Sequence, residues 1–492
     1  MNETISLLLP IFLPIVMGAV LGLMKPVKTR KPVLIYTGTI LVITTVLIFL
    51  ACRLPEKQIT LFYLTDTLPV MLKLDGLGKF FLIMVSIVWL LAGFFSFTYM
   101  KHEKNEKRYF AFYLITYGVL AGLGCSGNLV TMYAFFECMT IASFPLVAHN
   151  QSREAVMAGL KYLFYSFFGA YMALFGLFFL CRYTTTLTFT PGGTLNMELV
   201  RGHESLLLLV ACLMLLGFSV KAGMFPMHAW LPTAHPVAPA PASAALSGII
   251  VKAGILAILR VVFYLIGPDF LRGTWVQYML LTLSLITVFM GSMLAYREKV
   301  LKKRLAYSTV SQLSYIVFGI ALLNPVGLTG SFLHMAAHAF IKCTLFLCAG
   351  AIIFRTGITN VDDLTGIGKK MPVTIWCFTI VSLGLIGIPP TGGFVSKWYL
   401  ATGALDSGIG VFRYLGPVIL LVSALLTAGY LLPVTIKGFF PGDDFDYASL
   451  KKCDADGFMA VPLIVLTLLS VLIGMFPNGL VSYITSIVNG LW

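Results

Sequence analysis

The sequence predicts an all-α polytopic membrane protein of about fourteen transmembrane helices. Three observations lead there. Of the 492 residues 59% are hydrophobic and 11% charged, against about 25% charged in soluble domains. The mean hydropathy is +0.93. The apolar residues come in runs of about 20, the length of a bilayer-spanning helix, without the in–out alternation of a transmembrane barrel strand. Together these exclude a soluble globular enzyme, a disordered chain and a disulfide scaffold.

The helices are expected at roughly 4–24, 33–52, 79–100, 109–126, 128–148, 160–181, 206–229, 241–266, 274–296, 306–323, 330–354, 373–400, 413–436 and 459–476. Helix 1 follows Met1-Asn2-Glu3 with no basic segment before it, so it reads as a retained span and not a cleaved signal. The 1–2 loop then carries Lys25, Lys28, Arg30 and Lys31, and the 3–4 loop Lys101, Lys104, Lys107 and Arg108. Arg153 stands between helices 5 and 6, and Arg297, Lys299, Lys302, Lys303 and Arg304 between 9 and 10. The 11–12 loop has Arg355, Lys369 and Lys370, and the 13–14 loop Lys437, Lys451 and Lys452. The alternate loops hold six basic residues (Arg53, Lys57, Lys73, Arg182, Arg201, Arg272) against twenty in this set. Positive loops stay in the cytoplasm, so the count implies a multi-pass protein of the cell membrane with both termini outside. It also accounts for the net charge of +14 without nucleic acid, for which no motif is present. The tail 477–492 is short and amphipathic and is expected at the interface.

None of the loops is large enough for a soluble domain, so one integral domain is expected over 1–492. Helices 1–3 occupy 1–105, a first five-helix unit 106–270, a second 271–437, and helix 14 with the tail 438–492. The nine cysteines include no CxxC pair, and Cys343 and Cys348 lie in an apolar stretch as small hydrophobes.

A charge near the bilayer centre costs about 2.5–3.5 kcal/mol on insertion scales, so the few intramembrane charges carry the functional argument. Glu137 lies in helix 5, Lys221 in helix 7, Lys252 in helix 8 and Lys397 in helix 12. His334, His338 and Lys342 follow an i, i+4, i+8 spacing in helix 11, which puts them on one face. Lys161 and Arg260 lie near span ends and read as snorkelling side chains. The chemistry such groups share is proton handling. Burial penalises an ammonium and a nearby carboxylate stabilises it, so a Glu137–Lys221 pair would switch the lysine between holding and releasing a proton. Lysines and histidines linked by water then make a relay.

Two helices should be broken. Lys221 precedes Pro226 by five residues, and Lys397 follows Pro389-Pro390 and Gly392-Gly393. Proline removes a backbone donor, and free carbonyls at that depth are tolerated only inside protein or beside water. The breaks fall in fourth place in helices 4–8 and again in helices 9–13. Five is odd, so the second unit is inverted relative to the first, as in many transporters.

These residues resemble a known family. The runs SVKAGMFPMHAWLPTAHPVAPAPASAALSG (219–248), KKRLAYSTVSQLSY (302–315), HAFIKCTLFL (338–347) and GIPPTGGFVSKWYL (387–400) resemble, in order, the signatures of antiporter-like subunits. Such subunits occur in respiratory complex I, in energy-converting membrane-bound hydrogenases and in Mrp-type cation/proton antiporters. The resemblance spans roughly 75–435. It implies fourteen helices, two inverted repeats and a midplane proton path. It also implies a helix 5 Glu (Glu137) paired with a helix 7 Lys (Lys221), the helix 8 lysine Lys252, the helix 11 histidine His338 with His334 nearby, and the helix 12 gate residue Lys397. Two positions depart from the pattern: Phe136 replaces the usual tryptophan before the helix 5 Glu. Thr233 replaces an aspartate near the cytoplasmic access route.

The expected function is a non-catalytic, proton-translocating subunit of a redox-driven complex, with other hydrophobic subunits and peripheral redox subunits as partners. No cofactor is expected on this chain, with iron–sulfur clusters in the partners. The alternative is a subunit of a Mrp-type Na+/H+ antiporter, with sodium besides protons and no redox chemistry. A haem protein fits poorly, because His334 and His338 share one helix and His228 and His235 lie near a membrane edge. A lipid or sugar enzyme should show an acidic motif in a large loop, and Asp443, Asp444 and Asp446 read as a solvated loop instead.

Overall fold

Every predicted span has a helical counterpart in the computed structural model, which describes residues 3–24, 29–442, 445 and 451–492. Lys25, Lys28 and the acidic residues Asp443, Asp444 and Asp446 lie outside the described residues. The helices are α1 (Glu3–Leu23), α2 (Arg30–Arg53), α3 (Gly76–Tyr99), α4 (Glu106–Gly124), α5 (Leu129–Val147), α6 (Arg153–Tyr183), α7a (Glu204–Lys221) and α7b (Leu231–Val237). They continue with α8 (Ala240–Ile266), α9 (Trp275–Arg297), α10 (Leu301–Ala321), α11 (Pro325–Thr356), α12a (Pro372–Ile386), α12b (Gly392–Asp406), α13 (Phe412–Phe439), α14 (Gly457–Met475) and α15 (Pro477–Asn489). Side-chain caps start several of them: Asp75 accepts from Gly78, Asn128 from Thr131, Ser152 from Ala155, Asn324 from Gly327 and Asp456 from Met459.

Among the described residues eleven helices are long and apolar enough to cross a membrane. The two halves of α12, of 15 residues each, are not among them, nor are α4 and α10, which carry three charged residues in their first turn. The chain is an integral multi-pass membrane protein. Its centre is α8, buried along its whole length, with α11 nearly so. A helix apolar all round belongs inside a bundle, and the small residues of α8 let neighbours approach closely. Two π-helical stretches, Leu246–Ile250 and Val261–Ile266, flank its regular part.

One element is not in the predicted set. Gln58–Thr65 (β1) and Leu68–Lys73 (β2) form an antiparallel hairpin. It docks on the α4–α5 turn through Lys73 N–H to Cys125 C=O at 2.7 Å and Gly127 N–H to Met71 C=O at 2.9 Å. The α6–α7a connection joins it through Leu129 N–H to Leu187 C=O. α15 closes the same end, where Tyr483 donates to Gly76 C=O at 3.0 Å and Trp492 meets Phe263. The opposite end holds the larger of the two sets of basic loop residues. There Arg30 pairs with Glu106, and Asp456 caps α14 while accepting from Thr98 at 3.0 Å.

Both broken helices end their first half at a glycine in the left-handed region, Gly223 (φ 70°) and Gly387 (φ 95°). This is the usual helix-terminating role of glycine, with proline a few residues later. Helix 7 therefore stops at Lys221, well short of the expected 229, and resumes at Leu231. Pro226 lies in the unwound stretch, as do Pro389 and Pro390 in the second break. α4 starts at the basic end and α9 at the hairpin end, so the two five-helix sets run in opposite senses.

Candidate functional site

The intramembrane charges gather along the middle of the bundle. Lys221, the last residue of α7a, is 1% exposed. Its Nζ donates to Tyr162 OH at 2.7 Å, Thr140 Oγ1 at 2.9 Å and Ser166 Oγ at 3.1 Å. Hydrogen bonds to a charged group contribute about 1.5–3 kcal/mol each, so three of them offset the insertion cost of one ammonium. Tyr162 in turn shares a 2.7 Å hydrogen bond with Ser143.

Close backbone contact builds this nest. A Cβ on Gly217 of α7a would sit 2.3 Å from Gly169 C=O of α6, and one on Gly169 would sit 2.4 Å from Gly217 C=O. The two glycines thus bring the Tyr162/Ser166 face of α6 against Lys221. Trp230 Nε1 closes the break by donating to Val220 C=O at 2.9 Å.

Glu137 is half-buried on α5, one turn before Thr140. Its Oε1 has no hydrogen-bond partner among the described residues, and their ion pairs within 4 Å do not include Glu137 with Lys221. Thr140 thus lies between the two groups that the sequence pairs.

Where the two repeats meet, the residues join directly. Lys252 shares a 2.8 Å hydrogen bond with His338 Nδ1 and donates to Ser247 C=O, a carbonyl of the π-helical stretch, at 2.8 Å. His334 is one turn along α11 from His338, with ring centroids 6.0 Å apart, and its Nδ1 meets Ser396 Oγ at 2.9 Å. Tyr315 stacks on His334 at 5.3 Å, and Lys397 Nζ lies over the Tyr315 ring at 5.2 Å. Lys397 donates to the carbonyls freed at the end of α12a, Leu385 at 2.7 Å and Ile386 at 2.8 Å. Lys342, one turn the other way on α11, donates to Ser308 Oγ and to Leu305 C=O. Nε2 of both His334 and His338 is buried without a hydrogen-bond partner among the described residues.

Arg260 does not snorkel. It is 2% exposed and pairs bidentately with Asp75, at 2.5 and 2.7 Å, between the rings of Phe189 and Tyr264. The span end is roofed by the hairpin and α15, so the guanidinium has a carboxylate where a lone span end would offer water. Burial works against the Asp75 charge, but Arg260 and the Gly78 N–H hold its carboxyl below the usual range. Lys161 is half-buried.

Sequence reasoning missed a second buried cluster, near the basic end. His235 is fully buried, stacks on Phe346 at 4.6 Å, and has no hydrogen-bond partner for either ring nitrogen among the described residues. Lys302 is 6% exposed and donates to Ala238 C=O at 2.7 Å and Pro236 C=O at 3.3 Å. Its acidic neighbour is Glu103, in the α3–α4 loop, whose carboxyl burial raises above the usual range against the opposing effect of Lys302 and His102. Thr233, where the resemblance implies an aspartate, is exposed and bonds the carbonyls of Ala229 and Trp230. Among the described residues no group of three His, Cys, Asp or Glu converges as metal ligands do.

Comparison with known proteins places this arrangement. Residues 126–429 match the family described as NADH:quinone oxidoreductase/Mrp antiporter, TM, and residues 65–110 match NADH-Ubiquinone oxidoreductase (complex I), chain 5 N-terminus. NADH-quinone oxidoreductase subunit N of Desulforudis audaxviator is 30% identical over 84% of this chain and 83% of its own length. A Na(+)/H(+) antiporter subunit of Alkalihalophilus pseudofirmus is 27% identical over 97% of this chain and 95% of its own. A chain of the membrane-bound sulfane sulfur reductase, an archaeal respiratory membrane complex, superposes with a TM-score of 0.85 at 22% identity, over 99% of this chain and 97% of that one. With its central 304 residues matched and its broken helices in fourth place in each repeat, the chain belongs to the NADH:quinone oxidoreductase/Mrp antiporter transmembrane family.

Proposed function

We propose that this chain is a proton-translocating membrane subunit. Its path runs from Glu137 and Lys221 through Lys252, His338 and His334 to Lys397, with Lys342 as a side branch. The observation that carries the reading is the row of buried lysines and histidines across α7a, α8 and α11, continued by the half-buried Lys397 of α12b and joined in part by hydrogen bonds below 3 Å. Charges kept at that depth mark ion paths and proton relays. The chain works as one integral domain over 1–492, binds no cofactor itself, and sits among other hydrophobic subunits. The basic end faces the cytoplasm and both termini face outward, as the distribution of lysine and arginine supports.

Two drivers fit this core. In the first, peripheral redox subunits carrying iron–sulfur clusters power the pump, and the kinship with a quinone oxidoreductase subunit supports it. In the second, the chain belongs to a Na+/H+ exchanger, which the near full-length match to a Na(+)/H(+) antiporter component supports. Gentle purification of the tagged chain from its native membrane, with iron and nickel assays, separates them. Iron-rich peripheral subunits establish the redox pump, nickel points to a hydrogenase, and a metal-free set of small hydrophobic subunits establishes the exchanger. The transport reading itself is tested by dye-monitored proton movement in vesicles holding the assembled complex. Normal transport with Lys252→Met would overturn it.

A further inference from the structure

We propose that the hairpin end of α3 binds one phospholipid with a phosphoethanolamine head group. The head lies between the hairpin and α15, and an acyl chain lies in a groove between α3, α11 and α14. The inference does not depend on the transport reading.

Two adjoining cavities give the shape. The deeper one is an apolar groove of about 450 Å³, walled by Ile83 and Ile87 of α3 and by Ala336 and Phe340 of α11. Leu472 and Phe476, 46% and 70% exposed, stand at its rim, so it opens toward the bilayer. The second cavity, of about 260 Å³, lies between the hairpin, the start of α3 and α15, and is lined by Glu56, Lys73 and Ser486. Tyr483 of α15 lines both cavities, and its hydroxyl is tied to Gly76 C=O. The polar lining gives way to the apolar one at this ring. Tyrosines and amphipathic helices sit at the boundary between head groups and acyl chains. From Phe80 to Ile87 α3 rises about 10 Å, within the ~15 Å of one hydrocarbon leaflet. The groove therefore begins at head-group depth and follows an acyl chain inward. Its floor is the face of α11 opposite His334 and His338.

Charge selects the head group. Asp75 borders the polar cavity too, but Arg260 already neutralises it. That leaves Lys73 and Glu56, 25% and 50% exposed, with Nζ and Oε2 3.8 Å apart. Charged pairs joined by a hydrogen bond stand about 2.7–2.9 Å apart, so these two attract each other and still have room for further partners. A lone phosphate at Lys73 would face the Glu56 carboxylate, and a lone ammonium at Glu56 would face Lys73. A head group with both charges on one short tether meets each with its opposite. A carboxylate only accepts hydrogen bonds, so Glu56 favours an ammonium that carries N–H donors, which ethanolamine has and choline lacks.

The test uses the assembled complex in vesicles of phosphatidylglycerol. These carry a small, equal fraction of either phosphatidylethanolamine or phosphatidylglycerol with a photoreactive diazirine in one acyl chain. Cross-linked peptides are counted by mass spectrometry. The ethanolamine lipid is expected to label segments 80–87, 336–340 and 469–480 several-fold more than the glycerol lipid. Glu56→Gln should abolish that preference, and Lys73→Gln should lower labelling by both lipids. Ile83→Trp, which fills the groove, should suppress both, whereas Leu425→Trp, at a 74% exposed site on α13, should change neither. Equal labelling by the two lipids would mean annular lipid only and overturn the proposal. Absence of labelling would mean that another subunit covers the groove, and overturns it as well. A preference that survives Glu56→Gln overturns the assigned head site. Should the variants fail to assemble, the comparison of the two lipids on the unaltered complex decides.

Discussion

The two broken helices share a layout and differ in what they give their lysine. Lys221 ends its half-helix among three side-chain hydroxyls. Lys397 begins the second turn of its own half-helix and faces two backbone carbonyls. A hydroxyl both donates and accepts, so the Lys221 nest serves an ammonium and a neutral amine alike, by turning O–H groups toward the nitrogen lone pair. A carbonyl only accepts, so the Lys397 site serves only donors. The same fold, run in opposite senses, thus gives one lysine hydroxyl partners that can turn to donate as well as accept, and the other carbonyl partners that only accept.

Lys221→Ala is the strongest way to break this comparison. Proton movement in vesicles should fall by about tenfold or more, which is at least ~1.4 kcal/mol of barrier, with the complex still assembled. Unchanged transport would refute the place of the first site in the proposed path. Gly217→Ala comes next. Its Cβ would meet Gly169 C=O at 2.3 Å, and overpacking of this kind costs about 1–3 kcal/mol. The expected result is a lower thermal midpoint in detergent together with slowed transport, and normal values of both would show that α6 and α7a separate easily. Tyr162→Phe sharpens the comparison, because it removes one of three hydroxyls and should slow transport by only a few-fold. Lys397→Ala should act more weakly than Lys221→Ala when the half-channels are redundant; an equal loss would mean that one path runs through both.

The smallest effect concerns stability away from the membrane interior. His149, in the α5–α6 loop, has its imidazole lowered to about 4 from its usual 6.5, by burial first and then by Arg108, although its Nε2 bonds Lys104 C=O. Between those two values the unfolded chain binds more protons than the folded one, so stability rises with pH there and is lost as pH falls. His149→Gln should flatten the fall in thermal midpoint between about pH 6.5 and 4. An unchanged slope would assign that acid sensitivity to other groups.

Isolated charges in apolar runs were legible at once: Glu137, Lys221, Lys252 and Lys397 need no partner to stand out in the sequence. Their surroundings were not. Thr140, Tyr162 and Ser166 come from two other helices, and the Gly169–Gly217 contact that gathers them leaves no periodic signal. Arg260 read as a snorkelling end because Asp75 lies 185 residues earlier, behind a hairpin that the run 58–73 disguised as a connection. His235 was passed over because distance from a span end says nothing about what roofs that end.

The Tyr483–Gly76 hydrogen bond joins residues 407 apart in sequence, and Asp456, the cap of α14, reaches back to Thr98 across 358. α3 therefore leaves the ribosome long before the helix that covers its flank exists. During synthesis that flank must be shielded by lipid or an insertion factor, and the pair Asp75–Arg260 near it stays unsealed. The order of manufacture thus ties the finishing of the first helices to the fourteenth: a chain stopped before α14 would leave an open seam along α3.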